Sequence, residues 1–333
     1  MAGLRLSPLG VTVFVVVMLG MIYLMMTRGP HDTPDLIDLR QILALSVEAA
    51  ELGGQQVRKV KESGDLKGRI KGHTKEGVEE PLTLGDLMSH RAMLGLFLKT
   101  YPHLKVISEE HDNSELELIP WSGQIPADML KQLPPHEIPV PARDITVWLD
   151  PLDATKEFTE NLLQYVTTMV CVAVKGRPLI GVIHKPFTQL TAWGFANQGM
   201  SANLRRRTVD PSKLSFIMSR SHSGIAKDFT QQVFGSNVSI VSAGGAGFKA
   251  LSLIDVENDM SDKADVYIHT TLIKKWDICA GNAILEAIGG NMTTLTGEKI
   301  SYDSSPSNDG GLLASAGVNH RQLLNKIAAI LKR

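Results

Sequence analysis

The sequence predicts a layered α/β protein carried behind a single N-terminal transmembrane helix, and three observations predict it. The first is an uncharged apolar run of 22 residues, Leu6 to Thr27. The second is a set of β-branched, apolar runs at 145–149, 166–174, 179–184 and 190–195, joined by turn residues, as in a mostly antiparallel sheet. The third comes after about residue 213. There, short apolar runs (214–218, 238–241, 264–268, 312–314) alternate with helical stretches (223–234, 246–255, 277–288, 319–331), the pattern of a second α/β layer. The length of 333 residues allows about two compact units or one large layered domain. A hydrophobic fraction of 43% excludes disordered and collagen-like classes. With 34 basic against 35 acidic residues there is no broad cationic field for a nucleic-acid backbone. Cys171 and Cys279, both in apolar runs, are too few for a disulfide framework; they read as small core residues, not nucleophiles.

As a helix, the first run is about 33 Å long, enough to cross a bilayer core. It exceeds the roughly 7–15 apolar residues of a cleavable signal, and Met25, Met26 and Thr27 lead into Arg28 instead of a small-residue cleavage site. An uncleaved signal anchor of type II topology follows, with a short cytoplasmic N-terminus and a lumenal body. The triplets Asn237-Val238-Ser239 and Asn291-Met292-Thr293 are candidate glycosylation sites on that body. The division expected is 1–34 for tail, anchor (about 6–27) and linker, and 35–333 for the body. Within the body, 35–212 is the sheet region and 213–333 the second α/β region.

In order, Thr33-Pro34-Asp35 reads as the start of a long helix that ends near Glu62. A polar Gly/Lys-rich stretch from Ser63 to Glu80 has no assigned element. Thr83 caps a second helix with Asp86 in its first turn. Next come the short run Lys105-Val106-Ile107, the acids Glu109 and Glu110, and an irregular insertion, 111–142, with six prolines. Lys175-Gly176-Arg177-Pro178 is a hairpin turn between strands.

The strongest chemical signal is Asp150-Pro151-Leu152-Asp153-Ala154-Thr155, which puts two carboxylates three residues apart at the end of an apolar strand. Proline fixes the direction and donates no hydrogen bond, so both acids and the Leu152 carbonyl can converge on one point. Oxygen ligands so placed suit Mg²⁺, although Asp is also a common helix cap. Glu109 and Glu110 follow the preceding short strand, and Asp277 opens an apolar helix. Singly these read as a solvated loop and a first-turn acid; together they could form a metal cage.

The blocks Ser108-Glu109-Glu110, Asp150-Pro151-Leu152-Asp153-Ala154-Thr155 and Trp276-Asp277-Ile278-Cys279-Ala280-Gly281 resemble the signature of the inositol monophosphatase superfamily of Mg²⁺-dependent, lithium-sensitive phosphatases. The resemblance covers roughly 35–332. It implies a five-layer α/β/α/β/α sandwich and a hydrolase that binds two or three Mg²⁺ ions and is inhibited by Li⁺. It implies that Glu109, Asp150, Asp153, Asp277 and the Leu152 carbonyl hold the metal, with Glu110 joining through water. Asp86 and Thr155 are implied to orient and deprotonate the attacking water. Ser219-Arg220-Ser221-His222-Ser223-Gly224 and Ala243-Gly244-Gly245-Ala246-Gly247-Phe248-Lys249 resemble the branch of the family that removes the 3′-phosphate of adenosine 3′,5′-bisphosphate. That likeness assigns Ser219, His222, Gly245 and Lys249 to the substrate. It also implies residence in the Golgi membrane, a role in clearing the by-product of sulfotransferases for glycosaminoglycan sulfation, and a homodimer. Read from residue type alone, Ser219 and His222 could cap the helix near 223, and the glycines could be only a turn.

Two alternatives share these residues: the same chemistry on inositol 1-phosphate, and a catalytically inactive, membrane-tethered lumenal binding module. A glycosyltransferase of the same topology is disfavoured by spacing, since the acids run Asp150-x-x-Asp153 and not Asp-x-Asp.

Overall fold

Nine buried residues, Ile145–Asp153, form the strand on which the site is built. In the computed structural model, which describes residues 8–27, 35–73, 77, 79–112, 114, 116, 118–220, 223–303 and 305–331, this strand lies in a six-stranded sheet. The sheet runs Gly199–Met200, Leu190–Phe195, Arg177–Lys185, Thr167–Val174, Ile145–Asp153, Lys105–Ser108. Neighbours are antiparallel except the last pair, which is parallel. Lys175 and Gly176, both at positive φ (50° and 75°), make the two-residue turn that pairs Val174 with Arg177.

The helices are α1 (Pro8–Thr27), α2 (Leu39–Ser63), α3 (Leu84–Thr100), α4 (Ala127–Leu130), α5 (Thr155–Thr159), α6 (Ser223–Phe234), α7 (Ala246–Leu251), α8 (Lys275–Ala287) and α9 (His320–Leu331). Period-2 alternation divides the sheet between two cores. Val147, Leu149, Val170 and Val172 pack with Leu43, Met93 and Phe97 of α2 and α3. Trp148, Met169 and Cys171 face the other way, onto Phe248 of α7 and Ile278 and Ile284 of α8. That second core continues into Ile217, Tyr267 and Ala314 of a five-stranded sheet ordered Ser239–Ala243, Ser215–Ser219, Val266–His269, Leu312–Ser315, Asn291–Thr293. The far face of this sheet, Phe216, Met218, Val266 and Ile268, packs on Ala226 of α6 and Leu323 and Ile327 of α9. The layers are therefore α2/α3, sheet, α7/α8, sheet, α6/α9: the α/β/α/β/α sandwich.

Four local expectations need correction. The first long helix starts at Leu39, after the short strand Leu36–Asp38, and not at Thr33-Pro34-Asp35. Asp38 is its N-cap, accepting from the Arg40 N–H at 3.1 Å, and Asp38 also accepts from the Ile138 N–H at 3.0 Å. The stretch left without an element, 63–80, holds an antiparallel hairpin, Arg69–His73 with Glu79–Leu82. The helix expected over 246–255 stops at Leu251, and Gly244 and Gly245 precede it. Cys171 and Cys279 are joined in a disulfide across 108 residues, tying the central sheet to α8. They are core residues as expected but not free ones, and nothing local pairs them, because only the packing of helix on sheet brings them together.

The chain divides into two compact units, Met1–Leu36 and Ile37–Arg333. In the first, the side chains described on α1 are those of residues 12–22, all exposed. Among the described residues no helix is long and apolar enough to cross a membrane, so the structure does not support the expected anchor.

Candidate active site

The strand Ile145–Asp153 runs apolar until Asp150, where its pairing with Thr167–Val174 slips: Asp150 faces Met169, and Asp153 faces Thr167. Pro151 and Leu152 are accommodated by this bulge, which turns the chain without requiring an N–H from residue 151. The Pro151 carbonyl accepts from Ser89 Oγ of α3 at 2.6 Å, fixing the turn. The chain then leaves through Ala154 in the left-handed region (φ 70°) into the short helix α5.

Three acids meet at this corner. Glu109 follows the parallel strand, and its N–H donates to the Leu149 carbonyl at 3.0 Å, which sets it beside Asp150. Asp277 lies in the first turn of α8, where the Lys274 N–H donates to its Oδ2 at 3.3 Å. One oxygen from each of Glu109, Asp150 and Asp277 falls within 4.8 Å of the others. Both carboxylate oxygens of Asp150 are buried without a hydrogen-bond partner. Burial, then the charges of Glu109, Asp153 and Asp277, push Asp150 well above the carboxylate range. Asp277 is raised likewise, by burial and then by Glu109 and Asp153. An uncompensated buried carboxylate is costly, and oxygen donors gathered in this way are the donor set of a hard divalent cation, so the residues fit Mg²⁺.

Asp153 lines the same cavity as these three, as does Leu152. It is held from the other side, accepting from the N–H groups of Ala246 (3.1 Å) and Gly247 (2.8 Å) and from Thr167 Oγ1 (3.1 Å). Glu110 stands apart from the trio: it is buried and paired with Lys71, whose ammonium also donates to Glu109 Oε1 at 2.7 Å.

Asp86 and Thr155 come together from elements 69 residues apart. Thr83 opens α3 with a capping box, worth about 1 kcal/mol to a helix. In it Asp86 Oδ2 accepts from the Thr83 N–H (2.7 Å) and Oγ1 (2.6 Å). This leaves Oδ1 to accept from Thr155 Oγ1 at 2.8 Å. The Thr155 hydroxyl is also 3.1 Å from the Leu152 carbonyl. Burial outweighs the hydrogen bonds from Thr83 and Thr155 and raises Asp86 to about 7.

Beside the acids is a cavity of about 410 Å³, the size of a small-molecule site. Thr155, Ser219, Gly245 and Lys249 line it. Gly245 has φ 64°, and a Cβ there would lie 2.6 Å from the Tyr165 carbonyl, so only glycine fits. Lys249 is buried and donates to the Gly245 carbonyl at 2.5 Å. His222 lies outside the described residues. Of the two sequons, Asn237 is exposed in a turn, and Asn291 is exposed at the start of an edge strand.

Lys71, Glu157 and Tyr267 also line or flank the cavity, and the sequence reading did not single them out. Lys71 lies on a hairpin that carries no apolar alternation. Tyr267 did leave a signal: it is the aromatic, polar-tipped member of the run Val266-Tyr267-Ile268.

The fold and the acidic corner define a phosphatase. The sequence matches the inositol monophosphatase family over residues 38–332, and the chain belongs to that family. It is 51% identical to the Xenopus laevis protein named inositol monophosphatase 3, over 98% of this chain and 95% of that one. It is 47% identical to the Homo sapiens protein named Golgi-resident adenosine 3′,5′-bisphosphate 3′-phosphatase, over 99% and 98% respectively. Among solved structures, the extragenic suppressor protein suhB from Bartonella henselae has a TM-score of 0.62 at 14% identity, covering 86% of this chain and 98% of its own. CysQ from Bacteroides thetaiotaomicron has a TM-score of 0.58 at 18% identity, covering 84% and 99%. At these identities the structural matches show the fold alone.

Proposed function

We propose that this chain hydrolyses the 3′-phosphate of adenosine 3′,5′-bisphosphate to AMP and phosphate in the Golgi lumen. The observation that carries the reaction is the Thr155–Asp86 hydrogen bond beside the carboxylate trio. Near full-length likeness to proteins named for that bisphosphate favours the substrate. Glu109, Asp150, Asp153, Asp277 and the Leu152 carbonyl would hold Mg²⁺, which when bound neutralises phosphate charge and lowers the pKa of water. Thr155 positions the attacking water through its hydroxyl oxygen. As the water attacks phosphorus, its proton passes to Thr155 Oγ1, and the proton of Thr155 passes to Asp86 Oδ1. Thr83 keeps Asp86 Oδ2 occupied, so Oδ1 is the accepting atom. A base near pKa 7 suits neutral chemistry. Ser219, Gly245 and Lys249 form the wall for the rest of the substrate, and His222 follows Ser219 by three residues. The sequence supports a tether through the uncharged run Leu6–Thr27, and relatives named Golgi-resident support the compartment.

A phosphate-release assay with adenosine 3′,5′-bisphosphate, with and without Mg²⁺ and then with Li⁺, tests this reading. Mg²⁺-dependent release that Li⁺ suppresses is expected, and release without Mg²⁺ removes the mechanism. The relatives named inositol monophosphatase 3 favour a second reading, inositol 1-phosphate. Faster turnover of that ester would replace the substrate proposed here.

A further inference from the structure

Tyr267 lies in the middle of the strand Val266–His269, paired to Ile217 on one side and Ala314 on the other. It is 1% exposed and belongs to the core between the two sheets, yet its hydroxyl has no hydrogen-bond partner. A phenylalanine would pack the same volume without burying a bare hydroxyl, and buried polar groups in native proteins are nearly always paired. The side chain reaches the wall of the active-site cavity, where the Lys249 ammonium stands 5.4 Å from its ring centre. Lys249 is itself engaged with the Gly245 carbonyl. A phenol has an ordinary pKa of about 10 and keeps its proton at neutral pH. At neutral pH it is therefore a fixed, neutral donor. A phosphate oxygen entering among these carboxylates needs donors that carry no negative charge, and this hydroxyl is one already fixed in place.

We propose that Tyr267 is a further catalytic residue: its hydroxyl donates a hydrogen bond to a non-bridging oxygen of the phosphate being cleaved. The inference deepens the phosphatase reading above and rests on it, but it holds for any phosphomonoester the site accepts.

The test is Tyr267→Phe in the full chain. Thermal unfolding, inhibition by inorganic phosphate, and kcat/KM on both adenosine 3′,5′-bisphosphate and inositol 1-phosphate would be measured. The expected result is an unfolding midpoint equal to or above that of the wild type. Phosphate inhibition should weaken, and kcat/KM should fall, by about 10- to 100-fold, the range for one hydrogen bond to a charged group. Phosphate inhibition and kcat/KM within twofold of the wild type would overturn the proposal. So would a lowered midpoint with unchanged phosphate affinity, since the hydroxyl would then hold the fold. A wild-type chain that is faster on inositol 1-phosphate overturns the substrate reading alone, and the inorganic-phosphate arm still decides Tyr267.

Discussion

Asp150 is ionisable, fully buried, surrounded by other acids, and served by no donor among the described residues. Its charge costs stability unless a cation answers it. Removing that charge by Asp150→Asn should leave the protein at least as stable in chelator. Mg²⁺ should raise the wild-type unfolding midpoint, by about 2.7 kcal/mol of stability at a hundredfold excess over its dissociation constant. In the variant that gain should be absent when the same melts are run with and without Mg²⁺. Thr155 gives a kinetic test. Thr155→Val keeps the shape but cannot pass a proton to Asp86, so kcat should fall about 10²- to 10⁴-fold while KM changes little. The raised Asp86 value sets the direction with pH. Only the carboxylate form accepts a proton, so wild-type kcat/KM should rise with pH and level off above about 7. That limb should vanish in Thr155→Val, as stopped assays across pH 5–9 would show.

Helix α8 brings Asp277 to the site, and two of its contacts with the sheet can be tested by substitution. Gly181 has no side chain because a Cβ there would lie 2.1 Å from the Ala280 carbonyl, a backbone atom that cannot rotate away. Gly181→Ala should therefore push α8 off the strand, costing about 1–3 kcal/mol in denaturant titration and weakening Mg²⁺ binding through Asp277. The second contact is the Cys171–Cys279 disulfide, and replacing both cysteines with Ala should lower stability by about 2–5 kcal/mol. These elements also show what the sequence could reveal. Strands of the central sheet are legible because both faces must be apolar, as at Val147 and Trp148, and α3 because Thr83 and Asp86 form a local cap. The hairpin at 69–82 was not legible: its first strand, Arg-Ile-Lys-Gly-His, is mostly exposed and has no alternation to read. Glu109, Asp150 and Asp277 each have ordinary local readings, so their convergence depends on topology. Thr155 and Asp86 became a pair only through family likeness, because a capping acid and a helix-entry threonine carry no sign of each other.

For the whole molecule, the catalytic unit carries its own core. The residues of its four hydrophobic clusters all follow Leu36, from Ile37 onward, and α1 belongs to the other compact unit. Folding of the sandwich and assembly of the acidic corner should therefore not depend on the first 34 residues, whereas the tether proposed above would depend on them entirely. A chain beginning at Asp35 should match the full chain in kcat/KM within about twofold, and its unfolding midpoint should shift little, because the hydrophobic clusters and the acidic corner are built from residues that it retains. The tether proposed from the uncharged run Leu6–Thr27 predicts that the full chain stays in the pellet when isolated membranes are washed with alkali. Fused to a cleavable signal, the shortened chain should appear in the soluble fraction with its activity intact. A full chain that washes off would refute the tether and leave the catalytic unit unaffected. A shortened chain that has lost activity would instead show that the N-terminal segment contributes to the site.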